Sequence, residues 1–129
     1  PNFERDPRKS EPRFIAFAVP FGWILRPEEF EKGLDVLVSN RRRISPDSID
    51  SRIKNYHWLD LVSGMYEAYD YGHDTVILID EENNISEGPG FNIFCVDETG
   101  LNSPNKGVLE GITRQTVLDL AKELNLPLV

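Results

Sequence analysis

Residues 54–79, KNYHWLDLVSGMYEAYDYGHDTVILI, decide the fold. Trp58, Leu61, Val62, Met65 and Ala68 or Tyr69 recur at three and four positions, the mark of an amphipathic helix with one apolar stripe. Lys54 is placed to open that helix. Gly64 lies close to the stripe and would let a neighbouring element approach, and Gly72, after Tyr71, is placed as a left-handed cap. Thr75-Val76-Ile77-Leu78-Ile79-Asp80 is then a continuous β-branched run. A helix running straight into an apolar strand predicts a mixed α/β fold.

Reading outward from this unit, Glu81-Glu82-Asn83-Asn84 is a turn and Ile85 starts a hairpin's return strand. Residues 91–97 form the next strand, closed by Glu98-Thr99-Gly100, and residues 101–106 are turn-rich. A second helix runs over residues 113–124, with Val117, Leu118, Leu120, Ala121 and Leu124 apolar and Thr113 as its cap. Upstream, residues 33–39 alternate as a half-buried strand. Ser45-Pro46-Asp47 and Asp50-Ser51 keep residues 41–53 on a surface. The basic run Arg41-Arg42-Arg43 reads as a solvated strand end, with anion binding as the alternative. Residues 14–19 are β-prone until Pro20 and Gly22 interrupt them. Residues 1–12, rich in proline and charge, read as a disordered or linker-like entry. There is no internal repeat.

The chain has 129 residues, enough for one domain with a real core. Its 22 acidic and 14 basic residues give a net charge of -8, which disfavours nucleic acid or an anionic membrane as a partner. Cys95 is the single cysteine and lies in an apolar run, so an inert buried thiol and a reducing, cytoplasmic setting are expected. No apolar stretch approaches a membrane span. There is no initiator Met, and residues 125–129 begin an apolar run that stops early, so both ends read as cut from a larger protein. His57, His73 and Cys95 fit no zinc spacing, and residues 80–84 lack the pattern of a calcium loop, so no metal is expected. His73 reads instead as a helix-end cation.

Three segments carry chemistry. A lysine is a nucleophile only when neutral, which takes desolvation or neighbouring positive charge to depress its ordinary pKa of about 10.4. Lys54, near Arg52 and the Arg41 to Arg43 run, has both influences available in sequence. Glu87 stands in Ile85-Ser86-Glu87-Gly88-Pro89-Gly90-Phe91-Asn92, where two glycines would let a flat ring come close to backbone; the plainer alternative is a hairpin bend with a surface carboxylate. Gly111-Ile112-Thr113-Arg114 opens a helix whose first amides lack intrahelical partners and suit a phosphate, unless the glycine and threonine only cap it. Leu109, just before, is placed to pack on an aromatic ring.

In order and wording these segments resemble the fold-type IV (class IV) pyridoxal-phosphate aminotransferases. That family shows a lysine heading a helix that ends in Glu-Ala, a Thr/Ser-Glu-Gly-x-x-x-Asn segment, and a Gly-Ile/Val-Thr-Arg helix start. Here these stand as Lys54, Glu67-Ala68, Ser86-Glu87-Gly88 with Asn92, and Gly111-Ile112-Thr113-Arg114. The resemblance implies the larger domain of the D-amino-acid-aminotransferase-like fold, a mixed sheet with helices around it. Residues 1–25 would be an entry segment or interdomain connection and residues 26–129 the cofactor-binding domain, its C-terminal part missing. It also implies pyridoxal 5'-phosphate as cofactor, with Lys54 forming the Schiff base and Glu87 holding the pyridine nitrogen. Ile112 and Thr113 would hold phosphate through their backbone, and Leu109 would line the ring.

The implied reaction is transfer of an amino group between an amino acid or amine and a 2-oxo acid, in a homodimer. The alternatives are an aminodeoxychorismate-type lyase, which would release pyruvate without an acceptor, and a non-catalytic truncated module. The wording around Lys54 and Gly88 is nearest the branched-chain-like and R-selective amine groups. The family's phosphate-binding arginine and a further threonine lie in regions this chain does not contain. Tyr56 and His57 do not match cleanly the tyrosine that some relatives place after the lysine.

Overall fold

The computed structural model describes residues 5–129. Strand β1 (Val36–Arg42), helix α1 (Leu59–Asp70) and strand β2 (Thr75–Ile79) form its centre. β1 and β2 pair in parallel, from Val36 opposite Thr75 to Arg42 opposite Ile79, with an irregularity between Val38 and Arg42. Parallel neighbours need a crossover, and α1 supplies it. Leu61 and Ala68 of α1 pack with Val76 and Leu78 of β2, flanked by the partly buried Leu37 and Met65. A Cβ on Gly64 would lie 2.9 Å from Leu78 Cδ2 and 3.1 Å from Val76 Cγ1, so the bare backbone there is what lets helix and sheet meet. Gly72, with φ +84°, ends the helix, and the His73 amide returns to the Ala68 carbonyl at 2.9 Å.

The expected helix starts later than the sequence suggested: α1 begins at Leu59, five residues beyond Lys54. Side chains in the preceding loop bond their own backbone. Asn55 Nδ2 donates to the Ile53 carbonyl at 2.8 Å, and Asn55 Oδ1 accepts from the His57 amide at 2.9 Å. Such local bonds compete with helical ones, so Lys54 sits on an irregular segment rather than on the first turn.

After β2 the chain reverses as anticipated. Asp80 Oδ1 accepts from the amides of Glu82 and Asn84, both at 2.8 Å, and Asn83 takes φ +67°. The return run pairs Ile85 with Ile79. The Ser86 amide donates to Leu78 O at 2.9 Å and the Leu78 amide to Glu87 O at 3.1 Å. Glu87 thus hangs from the most buried strand of the fold.

Beyond it the expected strand over residues 91–97 shrinks to β3 (Cys95–Asp97), because Phe91 makes only an isolated bridge to Gly88 and the continuous ladder begins at Cys95. Its partner is β4 (Gly100–Asn102), antiparallel to β3, in a stretch read from sequence as turns. Cys95 is exposed, not buried, since its strand lies outside the core. Helix α2 (Ile112–Glu123) is capped by Gly111, and Thr113 lies inside its first turn rather than capping it.

Upstream, residues 14–19 form no strand: Phe14 is 94% and Phe17 82% exposed, and a β-prone run orders only when a neighbour offers its edge. The strand expected over residues 33–39 starts at Val36 and runs on to Arg42, following the edge of β2. In the entry segment Pro7–Lys9 make one 3-10 turn capped by Asp6, while residues 1–4 of that expectation lie outside the described residues. Among the described residues no helix is long and apolar enough to cross a membrane.

Candidate active site

Lys54, Glu87, Leu109, Ile112 and Thr113 all line one cleft of about 680 Å³, together with Arg43 and Trp58. Two loops, residues 86–92 and 107–111, build its inner wall. Three bonds tie them together. Ser86 Oγ donates to the Gly107 carbonyl at 3.3 Å, the Leu109 amide donates to Glu87 Oε2 at 3.0 Å, and Asn92 Nδ2 donates to the Leu109 carbonyl at 2.9 Å. A Cβ on Gly111 would collide with Asn92 Oδ1, so the glycine that opens α2 is also what lets this latch close.

Glu87 is 6% exposed, which excludes the surface-bend alternative. A buried carboxylate needs charge and hydrogen-bond partners, and it has both. Arg43 Nε donates to Oε1 at 2.9 Å, opposite the Leu109 amide on Oε2. Arg43 Nη1 also donates to Asp60 Oδ2 at 2.6 Å, and Asp60 accepts the amides of Ile44 at 2.7 Å and Leu61 at 2.8 Å. Burial works against the Arg43 guanidinium's charge, but its bonds to Asp60 and Glu87 outweigh it and hold the group above its ordinary pKa. The expectation of a solvated basic run therefore holds for Arg41 and Arg42, both exposed, and fails for Arg43. Its side chain retains only 11% exposure.

The glycines beside Glu87 serve differently from the expectation. A Cβ on Gly88 would run into the Phe91 ring, so that space belongs to the protein itself. Gly90 turns the chain at φ +86°, where a Cβ would meet Trp58 no closer than 3.8 Å.

At α2 the first intrahelical bond is the Gln115 amide to the Gly111 carbonyl, at 2.9 Å. The amides of Ile112, Thr113 and Arg114 precede it and carry the positive end of the helix dipole. Arg114 anchors this start, with Nε on Ser103 Oγ at 3.0 Å and Nη2 on the Pro104 carbonyl at 2.9 Å. The motif Gly111-Ile112-Thr113-Arg114 does not by itself reveal this task for Arg114.

Lys54 is exposed, so the expected desolvation is not supplied by the described residues. Neighbouring cations are also engaged elsewhere. Arg52 grips Asp50 through Nε at 3.0 Å and Nη2 at 2.9 Å, Arg41 binds Glu67, and Arg43 is inside the Asp60–Glu87 row. Tyr56 and His57 line a second, more open cleft with Arg41 and Arg42, whose lining does not include Lys54. His73 meets Asp35, with Nδ1 and Oδ1 3.0 Å apart. Among the described residues no group of three or more His, Cys, Asp or Glu is placed to hold a metal ion.

The donor set suits an anionic, ring-bearing cofactor such as pyridoxal 5'-phosphate: a partnered buried carboxylate, unpaired helix-start amides and an amine share one cleft.

Residues 2–129 match the family model described as amino-transferase class IV. The branched-chain-amino-acid aminotransferase of Escherichia coli K12 is 38% identical over 117 residues, covering 87% of this chain and 37% of that protein. The crystal structure of a branched-chain aminotransferase from Thermoproteus uzoniensis, solved with norvaline, superposes with a TM-score of 0.76 at 34% identity, over 86% of this chain and 37% of that one. A branched-chain aminotransferase from Thermobaculum terrenum in its PLP form gives a TM-score of 0.71 at 32% identity, over 78% and 35%. The chain therefore spans well under half the length of these relatives.

Proposed function

Since the chain belongs to the class IV aminotransferases, we propose that it forms the cofactor-holding part of an enzyme that moves an amino group between a branched-chain-like amino acid or amine and a 2-oxo acid. The supporting observation is the single cleft that gathers Lys54, Glu87 and the start of α2. The relatives' names and the PLP form of one similar structure point the same way.

Pyridoxal 5'-phosphate, when bound, supplies an electron-withdrawing ring that stabilises charge at the carbon losing its proton. Lys54 Nζ would be the amine that holds it and would carry the proton to and from the reacting carbon. Glu87 would hold the ring nitrogen and favour its protonated form. The amides of Ile112 and Thr113 would take the phosphate, and Leu109 would line the ring. The complete protein works as a homodimer in this reading, by analogy with its family.

Borohydride reduction of the complete protein with pyridoxal phosphate, followed by peptide mass mapping, tests the assignment. The label is expected on the peptide containing Lys54. Lys54→Ala should lose it, with transamination falling by at least roughly 10²-fold. A label that persists in Lys54→Ala, or full turnover without this lysine, would refute the role.

A further inference from the structure

Arg43, whose side chain is only 11% exposed, is a charged group lining the cleft that the catalytic reading leaves without a task. It reaches Glu87 across 44 positions of sequence and Asp60 across 17, so neither bond is a by-product of local chain geometry. The two nitrogens it uses, Nε and Nη1, lie on one rigid planar fork, so the bond to Asp60 sets the direction of the bond to Glu87. Asp60 is itself fixed by the Ile44 and Leu61 amides, just beyond β1 and in the first turn of α1. With Arg43 on Oε1 and the Leu109 amide on Oε2, both Glu87 oxygens are held and the plane of the carboxylate is determined. Each oxygen keeps a lone pair for a further donor.

We propose that Arg43, aimed by Asp60, is a positioning residue that fixes the Glu87 carboxylate for a protonated ring nitrogen in the cleft. The inference rests on the reading of Glu87 given above and adds the group through which that carboxylate is set. Arg43 touches no substrate in this role. It acts through Glu87, and its effect must vanish when Glu87 no longer accepts the ring.

A double-mutant cycle on the complete protein separates this from a general structural role, read as the pyridoxal phosphate dissociation constant and the bound cofactor's visible absorption. Arg43→Met is expected to weaken cofactor binding roughly 10–100-fold, the scale on which partners one layer out from a bound group usually act. It should also shift the absorption band toward that of Glu87→Gln. In a Glu87→Gln background the same change should cost less than about 2-fold. Arg43→Lys, which keeps the charge and loses the fork, should fall between wild type and Arg43→Met, and carries the test if Arg43→Met does not fold. Equal losses in both backgrounds, or Arg43→Lys indistinguishable from wild type, overturn the inference while leaving Glu87 in place. A Glu87→Gln protein with unchanged affinity and spectrum overturns it together with the reading beneath it.

Discussion

The two sides of the cleft are built in opposite ways. The Glu87 side joins two loops by side-chain to backbone bonds and seats a largely buried arginine side chain between two carboxylates. On the Lys54 side, the side-chain bonds of Asp50, Arg52 and Asn55 are made within residues 50–57: Asp50 with Arg52, and Asn55 with Ile53 and His57. Ile53 is 63% exposed and Tyr56 fully so. The contrast suits the chemistry assigned to each. A group that only orients a ring gains from being fixed, whereas an amine that must bond, leave and carry a proton needs room to move.

This contrast predicts an ordering of mutational costs. Asp60→Ala should cost most, about 3–5 kcal/mol, because it leaves Arg43 buried with one partner fewer and frees the Ile44 and Leu61 amides. Denaturant unfolding measures this, and hydrogen exchange should show the Leu109 amide losing protection. Asn92→Ala comes next, at about 0.5–1.5 kcal/mol, by removing one of two donors to the partly buried Leu109 carbonyl, which keeps the Gly111 amide. Exchange should then quicken at residues 107–112 and not at residues 50–57.

Acid should act first on the frame, since Asp50 on the Lys54 side, also held low by Arg52, starts from the lower ordinary value of 3.8. Glu67 lies below its ordinary 4.5, chiefly through the Ser39 hydroxyl, with Arg41 adding to it against a desolvation cost. A lowered carboxylate contributes stability that is fully present above 4.5 and lost as pH falls through the folded value. Unfolding free energy should therefore decline with acidification below 4.5, and Glu67→Gln should flatten that part of the profile. Asn55→Ala should matter least, within about 0.5 kcal/mol, as for a partly exposed residue bonded only to its neighbours. A loss there as large as that of Asn92→Ala would erase the distinction between the two sides.

What was legible in the sequence follows the same division. The apolar stripe from Leu61 to Ala68, the Gly72 cap, the run Thr75 to Ile79 and the turn at Asp80 are local patterns, and each appears in the fold. Lys54, Glu87, Leu109, Ile112 and Thr113 were legible because their motifs are linear, and the fold brings all five to one cleft. Arg43 was not, since nothing near it in sequence distinguishes it from Arg41 and Arg42; its partners arrive through the β1–α1–β2 crossover. Asn92 was quoted as a motif letter, but its bond to Leu109 emerges only when two loops meet. The run at residues 14–19 misled for a related reason, because strand propensity without an adjoining edge orders nothing.

In the proposed enzyme one bound ring would span Lys54 and Glu87, with its phosphate at the start of α2. A crystal structure of the complete protein grown with pyridoxal 5'-phosphate tests it directly. Electron density continuous from Lys54 Nζ into the cofactor is expected, with the ring nitrogen in hydrogen-bond range of Glu87 and phosphate oxygens on the Ile112 and Thr113 amides. Cofactor bound with its phosphate remote from α2, or its ring nitrogen turned away from Glu87, would contradict the account.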